Sequence, residues 1–343
     1  MTSAVALCLA SLLAAGAGGG ADSAASQPAQ PAATMPASAS AGPELRVLCT
    51  TFPIYLFVRN VAAGRDNIHL SLLLSAGMGC PHDYVVTPQD MQTIASADVV
   101  IINGLGMEEF LGPALTRANP RAIVIDSSAG IHDVLYMEGE HEHLRAAAQP
   151  AAHATSADAH EADKEHHRRV PNPHLFASPA MAAKLVANIA EGLARLDPSG
   201  AECYRTSAKA YAAKLTRLAR EFTETVANLT NRKIVTEHAV FDYLGRDCGL
   251  EIVAVIQQAP GQEPAAAEML ELVRLIRSSG AGAIFTEPQY PSAAAETIAR
   301  EAGVKLGVLD PVAAGPADAA RDYYEKVMSA NIRALEAALG QND

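Results

Sequence analysis

Short apolar runs alternate with segments of helical periodicity along most of the chain. In the first half, four apolar runs are typical of buried strands: 45–49, 69–74, 98–102 and 122–126. The segments 53–63 and 87–97 between them carry apolar residues at helical spacing. Strands that alternate with helices indicate βαβ units around a parallel sheet. The pattern therefore predicts an N-terminal α/β lobe over residues 44–177.

The run 171–179 separates two kinds of sequence. Ser178 has the character of a helix N-cap, and Pro179 suits the first helical position. Beyond them, apolar residues recur every three or four positions at Met181, Leu185, Ile189 and Leu193. We predict a rigid helix over 178–197 that joins two lobes.

The second half repeats the alternating plan. Strands are predicted at 233–236, 251–256, 283–286 and 305–309, and helices at 240–248, 264–279, 293–302 and 318–339. The C-terminal α/β lobe therefore covers 198–343. The predicted fold class is α/β: two lobes, each with a mainly parallel sheet flanked by helices, joined by one long rigid helix.

The first 43 residues differ from the rest. An apolar run ending near Leu13 and followed by small residues predicts a signal peptide over 1–20, although the first basic residue is Arg46. Residues 21–43, rich in Ala, Ser and Pro, predict a disordered linker. Export to the periplasm is expected. Leu7 stands where a small residue usually precedes a lipid-attachment cysteine, which argues against a lipid anchor at Cys8.

The charge of the chain narrows the classes of partner. The formal net charge is -12, from 26 Lys+Arg against 38 Asp+Glu. This balance argues against a nucleic-acid partner, because such proteins need a basic patch to neutralise phosphates. No other apolar stretch approaches the twenty residues of a membrane helix.

Four cysteines follow the predicted signal peptide, namely Cys49, Cys80, Cys203 and Cys248. In an oxidising compartment, Cys203 with Cys248 is the most natural disulfide, because both residues belong to the second lobe. Buried thiols without a disulfide are the alternative.

Residues 138–169 break the alternating pattern. The segment has no periodic apolar face and carries His141, His143, His153, His160, His166 and His167. Such a composition is typical of low-affinity metal capture. A solvated insertion with passenger histidines is the alternative interpretation.

Candidate metal ligands follow the predicted strands. His82, His238, Glu287 and Asp310 each lie just beyond a strand, where ligands bind in open parallel sheets. His174 lies between the lobes and directly after Pro173, which restricts its backbone. Three imidazoles and one carboxylate suit tetrahedral Zn²⁺, whereas Mn²⁺ prefers more oxygen ligands.

Several short motifs carry a resemblance to a known family: Pro81-His82-Asp83-Tyr84, Pro173-His174, His238 with Phe241, Phe285-Thr286-Glu287-Pro288 and Leu309-Asp310-Pro311. From about Leu45 to Leu339, the chain resembles the zinc- and manganese-binding substrate-binding proteins of ABC importers. It is most similar to the zinc-uptake branch with a histidine-rich loop.

This resemblance implies a monomeric, non-enzymatic protein that holds Zn²⁺ between its lobes and passes it to an ABC permease. The implied ligands are His82, His174, His238 and Asp310, with Glu287 as a possible ligand or tuning neighbour. A manganese or iron carrier is the alternative within the family. A zinc hydrolase is a further alternative, but the chain has no His-Glu-x-x-His motif.

Two positions depart from the family pattern. Cys80 and Asn172 stand where the family usually has Asp. The missing carboxylates would have oriented ligand histidines. Cys80 is therefore a candidate thiolate ligand, or a partner for Cys49.

Overall fold

The computed structural model describes residues 44–81, 84–137, 170–257, 262–291 and 293–340. Its N-terminal lobe contains a parallel sheet with the order β2-β1-β3-β4. These strands are β1 (Leu45–Cys49), β2 (Ile68–Leu72), β3 (Val99–Ile102) and β4 (Ile123–Asp126). The helices of this lobe are α1 (Phe52–Val61), α2 (Pro88–Ser96) and α3 (Leu111–Ala118). The alternating pattern thus forms the predicted βαβ units.

A small antiparallel pair closes this lobe. Strand β5 (Tyr136–Met137) pairs with β6 (Val170–Pro171), so Tyr136 lies opposite Pro171. The histidine-rich segment 138–169 connects these two strands and lies outside the described residues. The chain therefore enters and leaves that segment at adjacent points.

Two consecutive helices lead from the first lobe to the second. Ser178 accepts a hydrogen bond from Met181 N at 3.4 Å and begins α4 (Pro179–Leu196), as its sequence predicted. Helix α4 packs on α1 and β4 of the first lobe, and along α5 (Ala201–Ala227). The long helix that links the lobes is α5 and not the predicted helix over 178–197, because α5 packs on helices of both lobes. The domain limits at 177/178 and 197/198 stay predictions.

The C-terminal lobe has a second parallel sheet, with the order β10-β9-β7-β8. Its strands are β7 (Lys233–Thr236), β8 (Glu251–Val255), β9 (Ala283–Thr286) and β10 (Lys305–Val308). Its helices are α6 (Asp242–Cys248), α7 (Ala266–Ser279), α8 (Ala293–Ala302) and α9 (Tyr323–Leu339). Helix α5 packs against α1 of the first lobe and against α6 and α9 of the second.

One hydrophobic core runs through both lobes. It joins Val47 and Phe57 of the first lobe to Ile234 and Phe285 of the second. At the junction, Tyr324 of α9 meets Phe57 of α1 edge to face, with ring centroids 5.3 Å apart. The Tyr324 hydroxyl donates at 2.8 Å to the carbonyl of Phe176, which lies within the central run 171–179. Separating the lobes would expose these apolar side chains to water, so the core opposes a wide opening of the lobes.

Candidate metal centre

The carboxyl ends of the strands carry most of the predicted site residues. His238 follows β7, Glu287 follows β9 and Asp310 follows β10. Cys80 lies beyond β2 in the first lobe, and His174 lies in the run between β6 and α4. His82 lies outside the described residues, as do the six histidines of the loop: His141, His143, His153, His160, His166 and His167.

Three of these residues form a compact group of possible metal ligands. One ligand atom each from Cys80, His174 and His238 lie within 4.8 Å of one another. His174 is 1% exposed and His238 is 2% exposed, whereas Cys80 is partly buried. The two imidazole rings meet edge to face, with centroids 5.4 Å apart. Neither Glu287 nor Asp310 belongs to this group within the described part of the chain.

Asn172 orients the ring of His174. The side-chain oxygen Oδ1 of Asn172 lies 2.8 Å from Nδ1 of His174 and also accepts the His174 backbone N–H at 3.0 Å. An amide oxygen only accepts, so this contact assigns the ring proton to Nδ1 and the lone pair to Nε2. Asn172 therefore orients the His174 ring, which is the role expected of the carboxylate in the family pattern.

The other end of the Asn172 amide contacts the second lobe. Its Nδ2 donates to the carbonyl of Ala239 and to Oδ2 of Asp242, each at 3.0 Å. The Tyr243 hydroxyl donates to the Asn172 carbonyl at 2.7 Å and accepts from Leu135 N at 3.0 Å. Because Ala239 adjoins His238, one fully buried amide connects the backbone segments that carry both histidines.

His238 is paired with a buried carboxylate. Its Nδ1 lies 2.5 Å from Oε1 of Glu287, whose Oε2 accepts from Gln289 Nε2 at 2.8 Å. Burial lowers the pKa of His238, but Glu287 and Cys80 outweigh burial and raise it to about 10. Burial raises the pKa of Glu287, and His238 opposes that shift. The metal-free pair therefore holds a proton between ring and carboxylate.

Two further carboxylates make the surroundings acidic. Glu237 accepts the Glu287 backbone N–H at 2.8 Å, and burial raises its pKa to about 7. Asp310 accepts the Val312 backbone N–H at 2.7 Å through Oδ1, and burial raises its pKa to about 6. A cation placed among these groups would favour their charged forms.

A buried polar network supports the central run from the first lobe, and sequence reasoning missed its role. The Asn103 side chain donates to the Pro173 carbonyl at 2.8 Å, next to His174. Asn103 is held by Glu108, which accepts its backbone N–H and the Thr50 hydroxyl, both at 2.7 Å. This network lies in the segment 103–108, Asn-Gly-Leu-Gly-Met-Glu, whose sequence pattern does not reveal a contact with residue 173.

The cysteines form no disulfide in the described part of the chain. The expected Cys203–Cys248 bond is therefore absent. Cys203, near the start of α5, donates to the Ala63 carbonyl at 3.4 Å, whereas Cys248 is buried at the end of α6. Cys49 lies buried in β1 and is not bonded to Cys80.

Fold and site together define a class: a two-lobed α/β binding protein that gathers nitrogen and sulfur donors from both lobes. The chain belongs to the ZnuA family, described as zinc-uptake complex component A, periplasmic, which it matches over residues 47–338. Among the helices of the described segments, none is long and apolar enough to cross a membrane.

Individual relatives are similar over nearly the same part of the chain. The zinc-binding lipoprotein AdcA of Streptococcus pneumoniae is 29% identical over 300 residues, which is 87% of this chain and 56% of AdcA. The high-affinity zinc uptake system protein ZnuA of Bacillus subtilis is 28% identical over 304 residues, 88% of this chain and 89% of that protein. This chain thus spans about half the length of AdcA. AdcA is named a lipoprotein, so this relative does not support the expectation that Cys8 carries no lipid anchor.

Solved structures share the fold. The substrate-binding protein FpvC of Pseudomonas aeruginosa in complex with Mn²⁺ aligns with a TM-score of 0.70 and 30% identity, covering 86% of this chain and 98% of FpvC. Zn(II)-bound AdcA from Streptococcus pneumoniae aligns with a TM-score of 0.67 and 28% identity, covering 87% of this chain and 58% of AdcA. Both zinc and manganese thus occur among its structural relatives.

Proposed function

We propose that this protein captures Zn²⁺ between its two lobes and delivers it to the membrane permease of an ABC importer. The group of Cys80, His174 and His238 carries the proposal, because its three ligand atoms come from separate parts of the chain and lie within 4.8 Å of one another. Two relatives are named for zinc binding and zinc uptake, which supports zinc as the cargo. The protein acts in the periplasm, after export by its N-terminal signal, as a monomer without catalytic activity.

The contacts at the site support two of the proposed ligands, His174 and His238. His174 binds through Nε2 because Asn172 holds Nδ1. His238 likewise binds through Nε2 while Glu287 stays on Nδ1, an arrangement in which a carboxylate orients a metal-bound imidazole. His82 supplies a third imidazole. Asp310, Glu287 and Cys80 are the candidates for a fourth ligand.

Metal titration of the whole, metal-free chain tests this function. We expect one tight Zn²⁺ site, which His174→Ala and His238→Ala weaken by about 100-fold or more because each removes a direct ligand. His69→Ala is the matched control, since His69 is 55% exposed on β2. Wild-type affinity in both ligand variants would overturn the proposal.

Removing residues 138–169 separates the interlobe site from the histidine-rich loop. Because β5 and β6 pair directly, a short turn can join Met137 to Val170 in the deletion variant. We expect the tight site to keep its stoichiometry and only weak additional binding to disappear. Loss of stoichiometric binding in this variant would show that the tight site lies in the loop and not between the lobes.

A manganese carrier is the second candidate function, favoured by the Mn²⁺ complex of FpvC. Competition between the two ions for the metal-free chain distinguishes the candidates. Tighter binding of Mn²⁺ than of Zn²⁺ would favour the manganese carrier.

A further inference from the structure

Cys80 occupies a position in the site that the family pattern gives to a carboxylate. The Sγ atom of Cys80, one ring nitrogen of His174 and one ring nitrogen of His238 all lie within 4.8 Å of one another. Tetrahedral zinc, with Zn–S near 2.3 Å and Zn–N near 2.0–2.1 Å, places its ligand atoms roughly 3.5 Å apart. Movements of about 1 Å would therefore bring the three donors into a common coordination sphere.

A second observation independently points to a ligand at this place. Nε2 of His238 is buried and makes no hydrogen bond of normal geometry within the described segments, although the Cys80 side chain interacts with the ring. Nδ1 of His238 lies 2.5 Å from Oε1 of Glu287, so this carboxylate occupies one side of the ring and leaves Nε2 for a ligand. A buried polar atom without a partner costs about 1–3 kcal/mol. A bound cation beside Nε2 would remove this cost.

Contacts from the second lobe hold Cys80 at the site. The Tyr290 hydroxyl hydrogen-bonds the Cys80 backbone, and the Tyr290 ring meets His238 edge to face at 5.7 Å. Gly79 makes this approach possible, because a Cβ at that position would lie 2.9 Å from the Tyr290 hydroxyl oxygen. Cys80 is therefore held beside Tyr290, whose ring contacts His238.

We propose that Cys80 is a direct metal ligand, and that its thiolate selects zinc and softer ions such as Cd²⁺ over Mn²⁺. The inference rests on the proposed function and specifies the chemistry of the same site. Thiolate sulfur favours zinc and soft metals, whereas manganese prefers carboxylate, carbonyl and water oxygens. With the imidazoles of His174 and His238, the thiolate gives a set of nitrogen and sulfur donors, beside which Asp310 and Glu287 are neighbouring charges.

X-ray absorption spectroscopy at the zinc edge tests the proposal directly. The whole chain is loaded with one equivalent of Zn²⁺ in the presence of a non-thiol reductant. We expect one zinc–sulfur distance of about 2.3 Å beside nitrogen distances of about 2.0–2.1 Å. Cys80→Ser should remove the sulfur signal. Cys203→Ser is the matched control and should retain it, because Cys203 lies on α5 and bonds Ala63 instead.

Metal competition then tests selectivity. We expect Cys80→Ser to weaken Zn²⁺ binding by about tenfold or more, and Cys80→Asp to reduce the preference for Zn²⁺ over Mn²⁺, because a carboxylate is the harder ligand. Stoichiometric zinc with only nitrogen and oxygen neighbours, or a sulfur signal that survives in Cys80→Ser, would overturn this inference and leave the proposed function standing. Absence of stoichiometric zinc binding would instead overturn the proposed function.

Discussion

At the residue scale, we expect His238 to couple metal binding to pH. At neutral pH in the metal-free protein both ring nitrogens of His238 are protonated, because Glu287 and Cys80 outweigh burial and raise its pKa to about 10. A metal needs the lone pair of Nε2, so binding must displace the proton on Nε2. Apparent zinc affinity should therefore rise with pH, throughout the range below that raised pKa.

Calorimetric titration at several pH values between about 6 and 8 checks this dependence. Proton release is measured by repeating the titration in buffers with different ionisation enthalpies. Glu287→Gln should flatten the dependence, because it removes the carboxylate that holds the proton on His238. Zinc affinity that stays constant over this range in the wild type would contradict the proton competition.

Asn172 provides a second prediction at this scale. We expect Asn172→Asp to weaken zinc binding by about 10–100-fold, because it places a carboxylate 3.0 Å from Asp242 and removes the donor to Ala239. Asn188→Asp is the matched control, since that amide on α4 bonds the carbonyls of Ser127 and Ala129. Equal zinc affinities of the two variants would show that the donor side of the Asn172 amide does not support the site.

The preference for Asn at position 172 was not predictable from the sequence. The family pattern led us to expect a carboxylate there, and the acceptor role alone would suit one. The reason for an amide is its donor side, which faces Ala239 and Asp242 across the junction of the lobes. Those partners are about seventy residues away in the sequence, so local patterns carry no sign of them.

At the scale of elements, regular periodicity predicted structure well. The strands 45–49, 233–236 and 283–286 and the helix 293–302 have the predicted limits, because each is a short apolar or amphipathic segment bounded by polar residues or turns. Helix α3 was missed, since its eight residues include Gly112 and Pro113. The predicted terminal helix began too early, at 318, whereas α9 begins at Tyr323.

The turn after β3 provides a prediction at this scale. Gly104 has φ +90°, and a Cβ there would lie 2.1 Å from Asp126 Oδ1 and 2.2 Å from Ser128 Oγ. Gly104→Ala should therefore lower the free energy of unfolding by about 1–3 kcal/mol. Gly112→Ala in α3 is the control, because its Cβ would meet nothing within 4 Å and alanine favours helix. Denaturant titration measures both. Equal stabilities would contradict the role of Gly104.

At the scale of the whole molecule, the lobes share one core and the linking helix contacts both. Because the Phe57–Tyr324 contact and the continuous core join the lobes, we expect metal binding to move them only slightly. The site was predictable in part: His174 and His238 do come together, since His238 follows a parallel strand of one lobe and His174 lies in the run between the lobes. The sequence left Cys80, Asp310 and Glu287 open as further donors, because the choice depends on how Gly79 and Tyr290 pack across the junction.

We propose that one metal ion binds between the lobes. The most direct test is a crystal of the whole chain grown with one equivalent of Zn²⁺, measured above and below the zinc absorption edge. We expect one strong anomalous peak bounded by Cys80, His174 and His238. Zinc peaks beside the histidines of 138–169 with none between the lobes would contradict it.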